Sequence, residues 1–209
     1  MATKYIVNNV TGQTITGDLI INGNVVITGT TNTRPYEVYT ALLTQSGGDD
    51  IQSIDTGTIT IGVTYRIANL SPGMDFTNVG APNNEIDTYF VATGTTPASW
   101  GSAEDTGNST LEYNTGAPVA TVLENTIGNI WFQYNGVGNY TVTTEPESLF
   151  PIGKTICFLG SVGDDYASPS YGFLRLGGPD RRRILTQDFS NTDQDGMLFS
   201  TPIEIRVYN

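Results

Sequence analysis

The sequence contains no histidine, and it has only 9 basic residues against 21 acidic residues. Without an imidazole there can be no Ser-His-Asp triad, no Cys-His pair and no histidine pH switch. A zinc site built on imidazole is excluded as well. The lack of this one side chain therefore argues against the commonest hydrolytic centres, and we expect no enzyme and no cofactor.

Cysteine is nearly absent too. The single Cys157 lies in the apolar run Ile156-Cys-Phe-Leu159, so no disulfide can form within the chain. A cysteine in such a run is typical of an inert core position, and this interpretation is preferred to a reactive thiol. The absence of a cysteine pair also fits synthesis in a reducing cytoplasm.

Long apolar runs and basic clusters are missing. No stretch of about 18 apolar residues could span a membrane, and Met1–Tyr5 lacks the apolar block of a signal peptide. The net charge of -12 argues against nucleic acid as a partner. The basic run Arg181–Arg183 has acids on both sides and is interpreted as a solvated or interface face of a strand.

Threonine, asparagine and glycine are abundant, with 31, 17 and 24 residues. Threonine favours the pleated surface of a strand, as do the valine, isoleucine and aromatic residues of this chain. Asparagine and glycine favour turns. The composition therefore predicts an all-β protein.

The first 33 residues contain a six-residue repeat that ends on Gly17, Gly23 and Gly29. Each block predicts a short strand, and a few such strands cannot bury their apolar faces alone. Either several chains wind together, or the segment is a plain hairpin or meander. For the first alternative, the residues expected to bury against neighbouring chains are Ile15, Leu19, Ile21, Val25 and Ile27.

Residues 5–32 include the run "NNVTGQTITGDLIINGNVVITGTTN". This segment resembles the N-terminal segments of phage and large-virus fibre and decoration proteins. The resemblance implies that residues 1–33 trimerise and attach the chain to a virus particle.

Residues 48–113 have a different pattern, in which Gly62–Tyr65, Asp75–Ala81 and Phe90–Gly94 follow one another in order. These blocks resemble a small β module of phage tail and fibre proteins, with departures at Pro82 and at Glu85-Ile86. Strands are predicted on both sides of Gly62, over residues 58–69, and over residues 86–92.

The remaining residues predict an antiparallel sandwich of jelly-roll type. One strand is expected at residues 36–44, and eight follow near 118–124, 129–135, 138–144, 154–160, 171–176, 183–187, 197–200 and 203–208. "YEVYTALLTQSGG", "APVATVLENTIGNIWFQYNGVGNYTV" and "TPIEIRVYN" resemble one viral structural domain, in which the first block runs almost directly into the second. We therefore expect residues 34–209 to be one sandwich, formed by 34–47 and 114–209, with 48–113 inserted as the small β module.

Asn191, Asp193 and Asp195 match the opening of a calcium loop, with Gly196 at the sixth position. The twelfth position should hold a bidentate glutamate, but it is Pro202, so an acidic turn between strands is the preferred interpretation. Adjacent carboxylates elsewhere lie in loop-like stretches and assemble no catalytic site.

These features predict a non-enzymatic structural protein of a virus particle: a homotrimeric capsid decoration or head-fibre subunit. The alternative is a tail or baseplate-associated fibre tip that binds host cell-surface glycan. The expected partners are two further copies of the chain and a major capsid or other virion protein, held through the N-terminal segment. The expected location is the virion, after synthesis in the host cytoplasm, with no membrane insertion.

Overall fold

The β-favouring side chains of this sequence form antiparallel strands throughout the part of the chain that the computed structural model describes. That part comprises residues 34–102, 107–146, 148–160, 170–176, 181–188 and 190–208, with residues 170–176 described as a strand without their side chains. Its strands are β1 (Tyr36–Thr44), β2 (Ile51–Ile54), β3 (Thr64–Asn69), β4 (Met74–Asp75), β5 (Tyr89–Val91), β6 (Ser99–Trp100), β7 (Thr110–Asn114), β8 (Val119–Asn125), β9 (Asn129–Gly136), β10 (Asn139–Glu145), β11 (Thr155–Leu159), β12 (Ser170–Leu176), β13 (Arg181–Asp188) and β14 (Thr201–Tyr208). The prediction of an all-β fold is confirmed.

The first sheet joins strands from distant parts of the sequence, in the order β11-β14-β1-β8. β1 lies antiparallel to β14, with pairs from Tyr36↔Tyr208 to Leu43↔Thr201. The other side of β1 pairs with β8, and the register shifts after Thr40. The chain therefore leaves this sheet after β1 and returns to it at Val119, where it forms the edge strand β8.

The second sheet has the order β12-β13-β10-β9. Strands β9 and β10 form the hairpin that the Gly136-Val-Gly138 turn predicts, because φ is 137° at Gly136 and 62° at Gly138. The inner faces of the two sheets pack on one another through a shared core that excludes water. Its largest fully buried members are Tyr39, Leu43, Phe132, Tyr140, Phe150 and Ile184.

Residues 51–114 form a separate sheet, in the order β2-β7-β3-β5, and we call residues 48–113 the module. Its own core includes Tyr65, Phe76, Phe90 and Leu111. The D-F-T-N-V-G-A block forms a 3₁₀ turn over Thr77–Val79, which ends at Gly80 with a φ of 112°. A Cβ at Gly80 would lie 2.8 Å from the carbonyl oxygen of Val91, so glycine is required there.

The module lies against β9, the edge strand of the second sheet. The side-chain amide of Asn129 donates a hydrogen bond of 2.8 Å to the carbonyl oxygen of Tyr89. The backbone N–H of Phe132 donates one of 3.1 Å to the Thr64 hydroxyl. The module thus covers an edge that would otherwise present unpaired backbone groups to other chains.

Two strand predictions are wrong in this fold. Residues 197–200 contain bends and no strand, although Leu198 is buried in the sandwich core. Its carbonyl accepts a single backbone hydrogen bond, from the N–H of Gln45, in place of a ladder. Residues 58–61 likewise form no strand, since the N–H of Ile59 bonds to Thr95 and that of Thr60 bonds to the Tyr65 hydroxyl.

The strand predicted at residues 86–92 is shorter than expected, since β5 spans only Tyr89–Val91. Asp87 has a φ of 65°, which ends the extended conformation before β5. The other strands predicted from residue 118 onward are confirmed as β8 to β14. No helix in the described ranges combines the length and apolar character needed to cross a bilayer.

Candidate functional site

The outer face of the first sheet departs from that of an ordinary sandwich. We define it by the outward side chains of four strands and the arginine that precedes β1: Arg34, Tyr36, Val38, Thr40, Leu42, Leu123, Glu124, Ile156, Phe158, Pro202, Glu204, Arg206 and Tyr208. Sheets of this kind commonly place polar residues on the side away from the core. Here three apolar side chains are solvent-exposed, by 64% at Leu123, 49% at Phe158 and 45% at Ile156, while Val38 is buried among its neighbours.

Strand alternation explains how the apolar run around Cys157 supplies this face. Successive side chains of a strand point to opposite sides, so a run of four apolar residues serves both faces. Cys157 and Leu159 pack on the sandwich core, while Ile156 and Phe158 point outward. Burial raises the pKa of the Cys157 thiol, which keeps it in the protonated, unreactive form.

An aromatic cluster lies at one end of the outer face. The Arg206 guanidinium lies 4.9 Å from the ring centroid of Tyr36 and 5.4 Å from that of Phe158. The Tyr36 and Tyr208 rings are 5.2 Å apart, as their pairing across β1 and β14 requires. The cluster is rigid and amphipathic, which are the properties that favour tyrosine and arginine at protein interfaces.

Charges on the outer face occur as opposite pairs. The Arg206 Nε donates to a carboxylate oxygen of Glu204 at 2.5 Å, and this bond raises the pKa of Arg206. Arg34 makes a bidentate contact with Glu124, which raises the pKa of the arginine and lowers that of the glutamate. The face is therefore electrically balanced, although the whole chain carries a charge of -12.

Strand β8 adds an exposed sheet edge to this face. It is the last strand of the first sheet, and Thr121, Val122 and Leu123 are all exposed. The module bonds to the start of β8, where the N–H of Ala120 donates to the carbonyl oxygen of Gly62. An edge strand with exposed apolar residues is a template for association with another chain.

The two aspartates among the three candidate calcium ligands accept hydrogen bonds from different parts of the structure. Asp195 accepts hydrogen bonds of 2.8 Å each from the Tyr134 hydroxyl, the Tyr140 hydroxyl and the Gly138 N–H. Asp193 accepts one from the Gln187 amide at 2.7 Å. Asn191 lies at a φ of 60°.

Within the described ranges, no group of three or more cysteine or acidic side chains is placed to hold a metal. Asp195 acts instead as a structural anchor for the turn between β9 and β10. Burial, with the carboxylate as a second cause, raises the pKa of Tyr134 to about 12 and raises that of Tyr140 further.

The basic run divides between the two sides of β13. Arg181 and Arg183 are exposed, as expected for a solvated face, but Arg182 is only 1% exposed. Its guanidinium donates to the carbonyl oxygens of Arg181 and Phe150, and its centre lies 5.1 Å from the Phe150 ring centroid. Strand alternation could have predicted one inward arginine, but not the carbonyl oxygens that accept its hydrogen bonds.

The attachment and trimerisation residues Ile15, Leu19, Ile21, Val25 and Ile27 lie outside the described residues, so their role stays a prediction. Comparison of the chain with models of protein families, with curated proteins and with solved structures finds no match. Its function is therefore argued from its own residues.

Proposed function

We propose that the chain is a non-enzymatic structural protein of a virus particle, a homotrimeric capsid decoration or head-fibre subunit. Residues 1–33 attach it to a capsid or other virion protein, and the sandwich and module project outward. The protein is made in the host cytoplasm and is located on the virion. The observation that carries the proposal is the apolar, charge-balanced outer face of the first sheet, which suits contact with further copies of the same chain.

Charge is the reason to assign this face to copies of the chain. Two molecules of charge -12 repel one another, and they associate most easily where each presents no net charge. The outer face meets this condition because Arg34 and Arg206 offset Glu124 and Glu204. An acidic chain therefore has a neutral, apolar region through which it can meet itself.

The N-terminal repeat supplies the second part of the assembly. Each fully buried aliphatic side chain contributes about 1.5–3 kcal/mol. Five such positions in each of three chains, from Ile15 to Ile27, would stabilise a trimer that the outer face alone holds weakly. We propose that the N-terminal repeat and the outer face hold the trimer together. Loss of either one would leave too little buried apolar area for a stable trimer.

The number of copies per particle tests the location. Quantitative mass spectrometry of purified virus particles should find about one trimer of the chain for each capsomer. A few copies per particle would instead support the tail or baseplate fibre tip. Absence of the chain from washed particles would contradict both assignments.

A further inference from the structure

A groove lies where the module meets the second sheet, and it shares no residue with the outer face of the first sheet. Its floor contains Phe132 and Thr64, which are buried, and its volume is about 150 Å³. A cavity of about this volume accommodates one six-membered ring. Its polar and aromatic walls are formed by Arg66, Tyr89, Glu112, Tyr113, Gln133 and Tyr134.

Three tyrosines are held in place around this groove. Tyr89 stacks on the Trp131 ring at 5.6 Å and nearly parallel, and Tyr113 packs edge-on against Tyr65. Tyr134 is fixed by the hydrogen bond from its hydroxyl to Asp195. Since the aromatic walls are already ordered, a ligand would bind without the cost of immobilising them.

The polar side chains of the groove are also ordered by hydrogen bonds, but some of their donor and acceptor atoms are still free to bind a ligand. Arg66 donates to Asp87 at 2.7 Å and to one carboxylate oxygen of Glu112 at 2.5 Å. Among the described residues, neither the other carboxylate oxygen of Glu112 nor the Gln133 Nε2 makes a hydrogen bond. The groove thus offers a free acceptor and a free donor beside aromatic rings.

We propose that this groove binds a single sugar ring, the terminal unit of a neutral glycan. A pyranose has hydroxyl groups that both donate and accept, which suit the Glu112 oxygen and the Gln133 amide. Its C–H face is apolar and packs on aromatic side chains. The volume suits one ring, with the rest of the glycan in the open part of the groove.

The charges of the groove favour a neutral ligand over an ion. The Arg66 guanidinium lines the groove and opposes a cation, although the tyrosines would otherwise suit one. The carboxylate of Glu112, which also lines the groove, opposes an anion. These two charges are paired with one another, so a neutral polyol meets polar groups without repulsion from either sign.

Saturation-transfer-difference NMR on the full chain tests this site. The probes are the methyl glycosides of glucose, galactose, mannose, rhamnose and N-acetylglucosamine at millimolar concentration, with choline and acetate as charged comparisons. At least one glycoside should bind. Gln133→Ala should weaken that binding about tenfold, because it removes one donor to the ligand.

Matched variants separate the groove from the rest of the molecule. Gln52→Ala removes an exposed glutamine of β2, whose amide bonds to Asp50, and should leave binding unchanged. Tyr89→Leu should weaken binding, whereas Tyr208→Leu, which removes a paired tyrosine on the other sheet, should not. A far-ultraviolet circular dichroism spectrum and a cooperative unfolding transition like those of the parent chain verify that each variant is folded.

The assignment is overturned if none of the glycosides binds the folded chain, or if choline or acetate binds in their place. Glycoside binding that persists in both Gln133→Ala and Tyr89→Leu would also overturn it. These results do not depend on trimer formation, since the groove and the outer face are separate surfaces.

Discussion

The two sheets of the sandwich share one core, but their outer faces differ in kind. The second sheet presents Thr141 and Thr143 of β10 opposite Arg183 and Arg181 of β13, a polar surface suited to water. The first sheet presents Phe158, Ile156 and Leu123, with charges only in pairs. Both faces obey the same strand alternation, and the exposed apolar side chains of the first are the feature that supports the proposed contact with further copies of the chain.

Placing the same charge on each face in turn has the largest expected effect. The variant Phe158→Asp should convert the full-length trimer to monomer, because it puts a carboxylate into an apolar contact. Static light scattering would measure the mass.

Thr141→Asp is the matched control on the second sheet. The new carboxylate can still accept the hydrogen bond that the Asn135 amide gives to Thr141. The mass should stay that of a trimer, and equal dissociation by both variants would show that net charge, rather than the face, governs assembly.

The two sides of the second sheet differ at adjacent arginines. Arg182→Ala should lower the free energy of unfolding by about 3–4 kcal/mol, because it removes a buried stem and leaves the Phe150 carbonyl without its donor. Arg183→Ala should change it by less than about 1 kcal/mol, since this exposed side chain bonds only to Asn139 in the described structure. Urea unfolding measures both, and equal losses would contradict the assignment of sides.

Asp193 and Asp195, the two aspartates of the calcium-loop-like sequence, provide a further contrast. Asp195→Ala should cost about 2–3 kcal/mol, because two tyrosine hydroxyls and a backbone N–H lose their acceptor. Asp193→Ala loses one exposed hydrogen bond and should cost less than about 1 kcal/mol. Thermal unfolding in the presence and absence of calcium would measure both, and a calcium-dependent difference for either variant would favour a metal role instead.

The smallest effect concerns alkaline pH. The folded pKa of Tyr134 is raised to about 12, so its phenol stabilises the fold fully below its unfolded value of about 10. That stability is lost as the pH rises from about 10 through about 12. Spectrophotometric titration of tyrosinate should show a late-ionising class that becomes smaller in Asp195→Ala. If all tyrosines titrate together near their ordinary pKa, the assignment of Asp195 as the hydrogen-bond partner of Tyr134 and Tyr140 is wrong.

Much of the fold follows from short-range patterns. The partial alternation over residues 36–44 predicts the strand β1, and the glycines of the β9–β10 turn predict the hairpin. The isolated apolar pieces at 58–61 and 197–200 resemble strands locally. They contribute Ile59 to the core of the module and Leu198 to the core of the sandwich, but neither segment pairs with a strand. Strand pairing depends on neighbours far along the chain, which a local pattern does not reveal.

The candidate site could not be predicted for the same reason. The outer face brings together β1, β8, β11 and β14, and its ion pair between Arg34 and Glu124 joins residues 90 positions apart. Alternation alone does not decide which side of β11 faces the core, so Phe158 resembles a core residue in the sequence. The roles of Asp195 and Gln133 depend likewise on contacts that only the folded chain supplies.

The proposed trimer is held by the N-terminal repeat together with the outer face. It is tested most directly by the solution mass, from light scattering over a range of concentrations, of the full-length chain beside a chain lacking residues 1–33. We expect a trimer that becomes a monomer on truncation, with Ile21→Asp or Ile27→Asp acting in the same direction. A full-length chain that is monomeric at every concentration would contradict the account.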